Sequence, residues 1–336
     1  MSTILAIESS CDETSAAVIS NGVLKSNVIA TQEVHAEFGG VVPELASRVH
    51  QQNIIPVVSK ALQQAETELT QLDAVAFTQG PGLLGALLVG ASFAKGLALA
   101  NNLKLIGVHH MQAHILSHFI ETPKPQFPFL CLTVSGGHTQ IVVVRSPLNM
   151  EVVGQTQDDA VGEAFDKTAK LIGLSYPGGP LIDKYAAEGN PLKYAFPDVS
   201  TQGLNFSFSG IKTSFLYFLR DKMKENSNFI EENKADICAS IQHTLIRILM
   251  QKLKKAAKQY DIKHIGIAGG VSANSGLRKA LQTEGEKKGW QIYIPRFEYC
   301  TDNAGMIAMN AHYLYEAGKF VEQGTAPTPR LPFPQN

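Results

Sequence analysis

The chain has 336 residues, of which 44% are hydrophobic and 18% are charged, a composition that supports a large buried core and excludes intrinsic disorder. The formal net charge of −1 excludes a protein that is basic overall, although nucleic acid can still bind a local basic cluster. At this length two domains are expected rather than one. The four cysteines lie far apart and form no CxxC pair, which is typical of reduced thiols. No apolar run is long enough for a secretory signal or a membrane span, so the sequence predicts a cytoplasmic protein without a membrane partner.

Short apolar, β-prone segments alternate with helical patterns along the chain. The predicted strands are residues 4–7, 16–19, 75–77, 105–108, 129–134, 141–144, 265–268 and 292–294. The predicted helices are residues 56–68, 84–100, 159–172, 235–259, 275–287 and 303–315. This alternation favours an α/β architecture over a sandwich or a bundle. Residues 4–19 and 129–144 share the order strand, small polar turn, strand, which indicates a duplicated fold with one hairpin in each lobe.

Histidines four residues apart at His110 and His114 project from one face of a helix, a spacing that suits a shared metal ion. Two unrelated histidines at a helix start would look the same. A zinc protease of the HExxH type needs a glutamate where this chain has Met111, so that class is disfavoured. Asp302 is the best third ligand, although an aspartate at this place can instead cap the following helix.

Three glycine-rich turns follow predicted strands. Residues 80–85 match GxGxxG, but no acid follows about twenty residues later to bind a ribose, so a tight turn that packs closely on its helix is the better interpretation. Residues 133–139 could cradle a phosphate or form a plain β-turn. Residues 268–274 allow close approach of a nucleotide, to which Asn274 could bond.

Two charged regions have both structural and functional interpretations. Asp159, Glu163 and Asp166 share one helical face, where they either meet a ligand or pair with lysines, for instance Asp166 with Lys170. Residues 242–296 carry eleven basic and three acidic residues, a local charge of +8. That region is a solvated helix face or a surface for tRNA, with Lys254, Lys255 and Lys258 as its test residues.

Nine segments together resemble the TsaD/Kae/Gcp family, the threonylcarbamoyladenosine transferase subunit once called O-sialoglycoprotein endopeptidase, in its bacterial form. The matching segments are IESSCDETSAAV (7–18), GGVVPELASRVH (39–50), GPGLLGALLVG (80–90), HHMQAH (109–114), VSGGHTQIV (134–142), GEAFDKTAKLIGLSYPGGP (162–180), FSFSGIKT (206–213), AGGVSAN (268–274) and CTDNAGMIA (300–308). The chain departs from the usual HMEGH at Gln112 and Ala113 and from the usual CTDNAAMIA at Gly305, and neither departure removes a ligand.

The resemblance implies an actin/Hsp70/sugar-kinase-like α/β fold made of two RNase H-like lobes with mixed sheets. The N-terminal lobe would span residues 1–122, completed by a helix at 303–322. The C-terminal lobe would span residues 126–300 with an irregular insertion at 176–210, and a proline-rich tail at 323–336 is expected to fray.

The resemblance also implies a metal-dependent acyltransferase that moves the threonylcarbamoyl group of threonylcarbamoyl-AMP to N6 of adenosine 37 in tRNAs reading ANN codons. Its partners would be tRNA, a TsaB-like paralogue and a TsaE-like ATPase. By resemblance His110, His114 and Asp302 hold one divalent metal, Fe(2+) first and Zn(2+) second, and Asp12 and Glu13 match the family's acidic pair, the candidate catalytic residues. The residues that match its threonylcarbamoyl-adenylate contacts are Thr133, Val134, Ser135, Gly136, Gly137, Asp166, Gly179, Asp183 and Asn274.

Two other function classes remain open on the sequence alone. An ATP-dependent kinase or ATPase of the same fold would explain the paired hairpins, but not a two-histidine site, because such kinases hold magnesium with carboxylates. A scaffold that only positions partners would not need intact metal and nucleotide motifs.

Overall fold

The structure is a computed structural model and describes residues 2–198 and 201–334. Its strands are β1 (Thr3–Glu8), β2 (Glu13–Ser20), β3 (Val23–Thr31), β4 (Ala74–Gly80), β5 (Lys104–His109), β6 (Phe129–Val134), β7 (Thr139–Ser146), β8 (Asn149–Gln155), β9 (His264–Ala268) and β10 (Gln291–Tyr293). Its α-helices are α1 (Pro43–Gln64), α2 (Leu84–Ala100), α3 (His110–Leu116), α4 (Val161–Leu171), α5 (Gly178–Ala186), α6 (Ser209–Glu225), α7 (Phe229–Tyr260), α8 (Ser275–Lys288) and α9 (Ala304–Glu316).

The chain divides into two compact units. The first contains Met1–Lys124, Ser146–Met150 and Pro295–Asn336, and the second contains Pro125–Arg145 and Glu151–Ile294.

Two five-stranded sheets share one strand order. The first runs β3-β2-β1-β4-β5 and the second, read from its other edge, runs β8-β7-β6-β9-β10. In each sheet the first strand in sequence forms an antiparallel hairpin with the next strand and pairs in parallel with a later one, as Leu5 opposite Val18 and Leu130 opposite Val143 illustrate. The predicted duplication of a mixed α/β sheet is therefore confirmed.

The central strands are buried along nearly their whole length. Every residue of β6 is buried, and all but the first residue of β1 are buried. Such continuous apolar segments are expected where helices cover both faces of a sheet. The side chains of Leu5, Ile7 and Phe77 belong to the core of the first unit, and those of Leu130 and Leu132 to the core of the second.

The structure corrects three expectations about the less regular segments. The insertion predicted as irregular contains α5, whose first amides are capped from α4 and whose Ile182 is fully buried. The last helix ends at Glu316 rather than at residue 322. The proline-rich tail does not fray over residues 326–334, because its backbone hydrogen-bonds to Gln79, Gly82 and His109.

Asp158 ties α6 to the loop before α4. Its carboxylate accepts hydrogen bonds from the amides of Phe208 and Ser209 and from the hydroxyls of Ser207 and Ser209. Partial burial alone would raise the pKa of Asp158, but these four hydrogen bonds hold it below its ordinary value.

We expect Asp158→Ala to destabilise the protein by about 1–2 kcal/mol, because a helix start loses its side-chain cap. Since the folded-state pKa is depressed, this stabilisation is fully present above the ordinary aspartate pKa of about 3.9 and is lost as the pH falls through the lower folded-state value. Urea unfolding at pH 7 and below pH 4 measures both effects. Asp221→Ala, which removes only exposed ion pairs on α6, is the matched control and should change stability little. An equal loss of stability in both variants would contradict the role of Asp158 as the cap of α6.

Candidate metal centre and substrate-binding turns

The two motif histidines lie at the junction of β5 and α3. β5 ends at His109, whose Nδ1 accepts a hydrogen bond from the amide of Gln112 and so caps α3. His110 and His114 follow on α3, both buried, with their ring centroids 4.7 Å apart. The i, i+4 spacing therefore brings the two imidazoles together as predicted.

Asp302 completes the group from the loop before α9. The helix cap is Asn303, which accepts a hydrogen bond from the amide of Met306, so the alternative capping role of Asp302 is excluded. Oδ1 of Asp302 lies 3.0 Å from Nε2 of His114 and 3.4 Å from Nε2 of His110. The three donor atoms lie within 4.8 Å of one another and form a possible metal-binding group.

The position of Asp302 is set by the start of α9. The hydroxyl of Ser15 on β2 accepts a hydrogen bond from the amide of Ala304, and the side chain of Asn27 on β3 accepts one from the amide of Gly305. A Cβ on Gly305 would lie within 3.3 Å of Asn27, Leu24 and Asn303, so the small residue permits this close approach. Two strands of the sheet thus anchor the backbone next to the carboxylate.

Glu8, at the end of β1, is fully buried and lies behind His110. Its Oε2 lies 3.1 Å from Nδ1 of His110 and accepts a hydrogen bond from the hydroxyl of Thr78 at 2.8 Å. Its Oε1 accepts a hydrogen bond from the amide of Ser10. A carboxylate only accepts, so Nδ1 of His110 carries a proton, which leaves Nε2 as the atom of His110 that would bind a metal ion.

The electrostatics of the group fit a divalent cation. Burial would lower the pKa of His110, but the negative charges of Asp302 and Glu8 raise it well above its ordinary value. Burial would raise the pKa of Asp302, and the two histidines hold it far below the usual range. The site therefore favours positive charge, and two imidazoles with one carboxylate are the donors typical of iron(II) or zinc sites.

The predicted acidic pair lies in the same unit, at the start of β2. Burial, followed by the negative charges of Asp302 and Asp12, raises the pKa of Glu13 well above its ordinary value. The preceding loop is held by His50 of α1, which bonds the carbonyl of Cys11 and the hydroxyl of Thr14. Glu13 is therefore an electrostatic neighbour of Asp302.

The predicted substrate residues lie in the second unit, beginning at the turn between β6 and β7. Thr133 and Val134 end β6, and the amide of Ser135 donates to the carbonyl of His138 across the turn. The amide of Gly162 at the start of α4 donates to the carbonyl of Ser135. A Cβ on Gly162 would lie 2.8 Å from the Cα of Gly136, so α4 packs directly on this turn.

Asp166, Asp183 and Asn274 all bond the starts of helices. Asp166 accepts from the amides of Gly178 and Gly179 at the start of α5, and burial raises its pKa despite these bonds. Asp183 accepts from the amide and hydroxyl of Ser275, and Asn274 accepts from the amide of Leu277 in α8. Asp166 and Asp183 therefore link α4, α5 and α8 into one connected group, and Asn274 caps α8.

The ion pairs of the acidic face differ from the predicted example. Lys167 pairs with Asp159 at 2.7 Å and with Glu163 at 2.8 Å. Asp166 bonds the amides of α5 instead of Lys170. The pairing interpretation is thus correct for two of the three acids.

Part of the basic region is already engaged within the second unit. Arg247 pairs with Asp198, Lys254 with Glu284, and both Lys252 and Lys255 donate to carbonyls of residues 201–203. Glu284 is already counted in the local charge of +8 and carbonyls are neutral, so among these contacts only the pair with Asp198 lowers that charge. A tRNA surface at Lys254, Lys255 and Lys258 stays a prediction.

A family model described as TsaD: tRNA N6-adenosine threonylcarbamoyltransferase matches residues 22–309 of the chain. The chain belongs to the TsaD family. Two relatives named tRNA N6-adenosine threonylcarbamoyltransferase match nearly the whole chain. That of Cytophaga hutchinsonii is 60% identical over 329 residues, covering 98% of this chain and 96% of the relative. That of Porphyromonas gingivalis is 57% identical over 333 residues, covering 98% of both chains.

Solved structures support the expected fold. Full-length HypF in its phosphate- and nucleotide-bound form has a TM-score of 0.63 at 15% identity, covering 95% of this chain and 47% of HypF. Component A of (R)-2-hydroxyglutaryl-CoA dehydratase from Acidaminococcus fermentans has a TM-score of 0.55 at 14% identity, covering 93% of this chain and 98% of the other. At these identities the likeness concerns the fold alone, and it confirms the actin-like α/β class.

Within residues 2–198 and 201–334, no helix is long and apolar enough to cross a membrane. The sequence analysis missed Glu8, Thr78 and Ser10 around His110. The one available signal was an acid directly after the apolar run of β1, since a fully buried carboxylate requires hydrogen-bond donors.

Proposed function

We infer that the protein transfers the threonylcarbamoyl group of threonylcarbamoyl-AMP to N6 of adenosine 37 in tRNAs that read ANN codons. The proposal rests chiefly on the group formed by the buried His110 and His114 and the half-buried Asp302 in a chain of the TsaD family. A tRNA substrate also supports the cytoplasm as the place of the reaction.

The metal-binding group defines what the first unit contributes. Nε2 of His110, Nε2 of His114 and Oδ1 of Asp302 would hold one divalent ion, with iron(II) favoured by the two-histidine, one-carboxylate donor set and zinc as the alternative. Such an ion supplies Lewis acidity toward a substrate oxygen. Glu8 orients His110 for this task.

The second unit supplies groups suited to the adenylate. The turn of Ser135, Gly136 and Gly137 is exposed at its two glycines, whose amides, with the hydroxyl of Ser135, would suit phosphate oxygens. Gly179 and Asn274 lie at the starts of α5 and α8, and Asp183 bonds the start of α8 from within α5; these three residues would contact the rest of the donor. Because the donor is an activated mixed anhydride, alignment matters more than strong acid–base catalysis.

The transfer forms one bond between N6 of adenosine and the carbamoyl carbon and breaks the bond from that carbon to the phosphate oxygen of AMP. N6 must lose one proton as it acylates. We propose that Asp12 or Glu13 accepts it, which is supported by the electrostatic interaction of Glu13 with Asp302. AMP then leaves as the second product.

Transfer in bacteria would require partner subunits, and we propose a TsaB-like paralogue and a TsaE-like ATPase. The test is incubation of the full chain and these partners with threonylcarbamoyl-AMP and unmodified tRNA, followed by digestion and mass spectrometry. The expected result is threonylcarbamoyladenosine. Absence of product with intact donor, together with ATP-dependent phosphorylation of a sugar, would replace the transferase with the kinase class.

A further inference from the structure

The C-terminal strap, defined as residues 326–334, lies across the end of β4 and the turn that follows it. The amide of Thr328 donates to the carbonyl of Gln79 at 2.7 Å, and the amide of Gly82 donates to the carbonyl of Pro329 at 3.1 Å. A Cβ on Gly80 would lie 2.0 Å from the carbonyl oxygen of Thr328, and Gly80 has a φ of +152°. The strap and this glycine therefore fit together without room for a larger residue.

The strap also contacts His109. Nε2 of His109 lies 3.3 Å from the carbonyl oxygen of Leu331, and the ring of Phe333 packs edge-on at 5.2 Å between centroids. Nδ1 of His109 accepts from the amide of Gln112, so its proton lies on Nε2 and points at the strap. One imidazole thus joins the strap to the first turn of α3.

Two routes connect the strap to the metal-binding group. The first runs through His109, whose cap orients the helix that carries His110 and His114. The second runs through the turn after β4, where the amide of Leu83 donates to the carbonyl of Ser10. The hydroxyl of Ser10 lies 3.2 Å from Nδ1 of His110.

We propose that the C-terminal strap is a positioning element of the metal centre, which sets the orientation of α3 through His109. The inference rests on the proposed metal site. None of the strap residues donates to the metal, so the strap acts only through the geometry of His110 and His114. Outer contacts of this kind typically change metal affinity by about 10–100-fold.

The test is titration of the chelator-treated, full-length protein with cobalt(II), followed by visible absorption. Phe333→Ala removes the ring contact. His109→Asn keeps an oxygen that can cap α3 but loses the contact with Leu331. Both variants should bind cobalt about tenfold more weakly. Phe320→Ala is the matched control, because Phe320 packs on Tyr315 in the same terminal segment, and its affinity should stay within about twofold of wild type.

A double variant and a conservative variant distinguish an effect on the position of the metal ligands from a general loss of stability. The double variant should bind no more weakly than either single variant, because both changes break the same link. Phe333→Tyr, which keeps an aromatic ring at this position, should retain the wild-type cobalt affinity and absorption band. A wild-type protein that binds no cobalt overturns the metal site and the strap together. If the wild-type protein binds cobalt and both single variants bind it with the wild-type affinity, only the role of the strap is overturned.

Discussion

Asp302→Ala is expected to reduce threonylcarbamoyl transfer by about a thousandfold or more, because loss of a metal ligand forfeits several kcal/mol of transition-state stabilisation. Oδ1 of Asp302 lies beside Nε2 of both histidines, so the loss of the carboxylate leaves only two ligand atoms for the metal ion. Product formed per minute from saturating donor and tRNA measures the effect. Bound metal, counted by elemental analysis, should fall with it.

The control for this variant is Asp73→Ala. Asp73 lies in the same unit and accepts a hydrogen bond from the amide of Thr3, away from the histidines. Both variants should show cooperative thermal unfolding, and the control should keep its activity. Full transfer by Asp302→Ala with normal metal content would remove the carboxylate from the centre.

Glu8→Gln should weaken metal binding by about 10–100-fold while leaving the fold intact. All three groups around this carboxylate, on Ser10, Thr78 and His110, donate to it. A glutamine amide that donates to Nδ1 of His110 would move the ring proton to Nε2, where the metal must bind. Competition against a chelator of known affinity measures the loss.

Glu44→Gln is the control for the carboxylate at position 8. Glu44 is exposed on α1 and forms an i, i+4 ion pair with Arg48. The metal affinity of the Glu44→Gln variant should therefore match that of wild type. Glu8→Ala should additionally destabilise the fold, since it leaves buried donors unpaired at about 1–3 kcal/mol each. Unchanged metal affinity in Glu8→Gln would show that Glu8 does not orient His110.

The local part of the metal centre was predictable from sequence, because the spacing of His110 and His114 directly sets their shared helix face. The choice between Asp302 and Asn303 as the helix cap was not predictable, since adjacent residues of similar propensity compete for one amide. Glu8 was missed because its role depends on β1, β4 and β5 lying side by side, with Thr78 reaching across from β4. That neighbourhood is a property of sheet order, not of local pattern.

In the second unit and the tail, too, local motifs were visible in the sequence but contacts between separate segments were not. The glycine turn at residues 133–137 was visible in the sequence, whereas the hydrogen bond from the amide of Gly178 to Asp166 joins two successive helices, and the one from Ser275 to Asp183 joins residues 92 positions apart. The prolines of the tail suggested fraying because proline lacks an amide donor. Their carbonyls still accept, as Pro329 does from Gly82, and Gly80 allows the close approach of Thr328.

Threonylcarbamoyl transfer should require a metal ion held by His110, His114 and Asp302. Product formation is measured with one preparation before chelation, after chelation, and after anaerobic addition of iron(II). Product should disappear on chelation and return with iron(II), and it should not return in His110→Ala. Undiminished product from protein shown by elemental analysis to be metal-free would exclude a metal ion from the reaction.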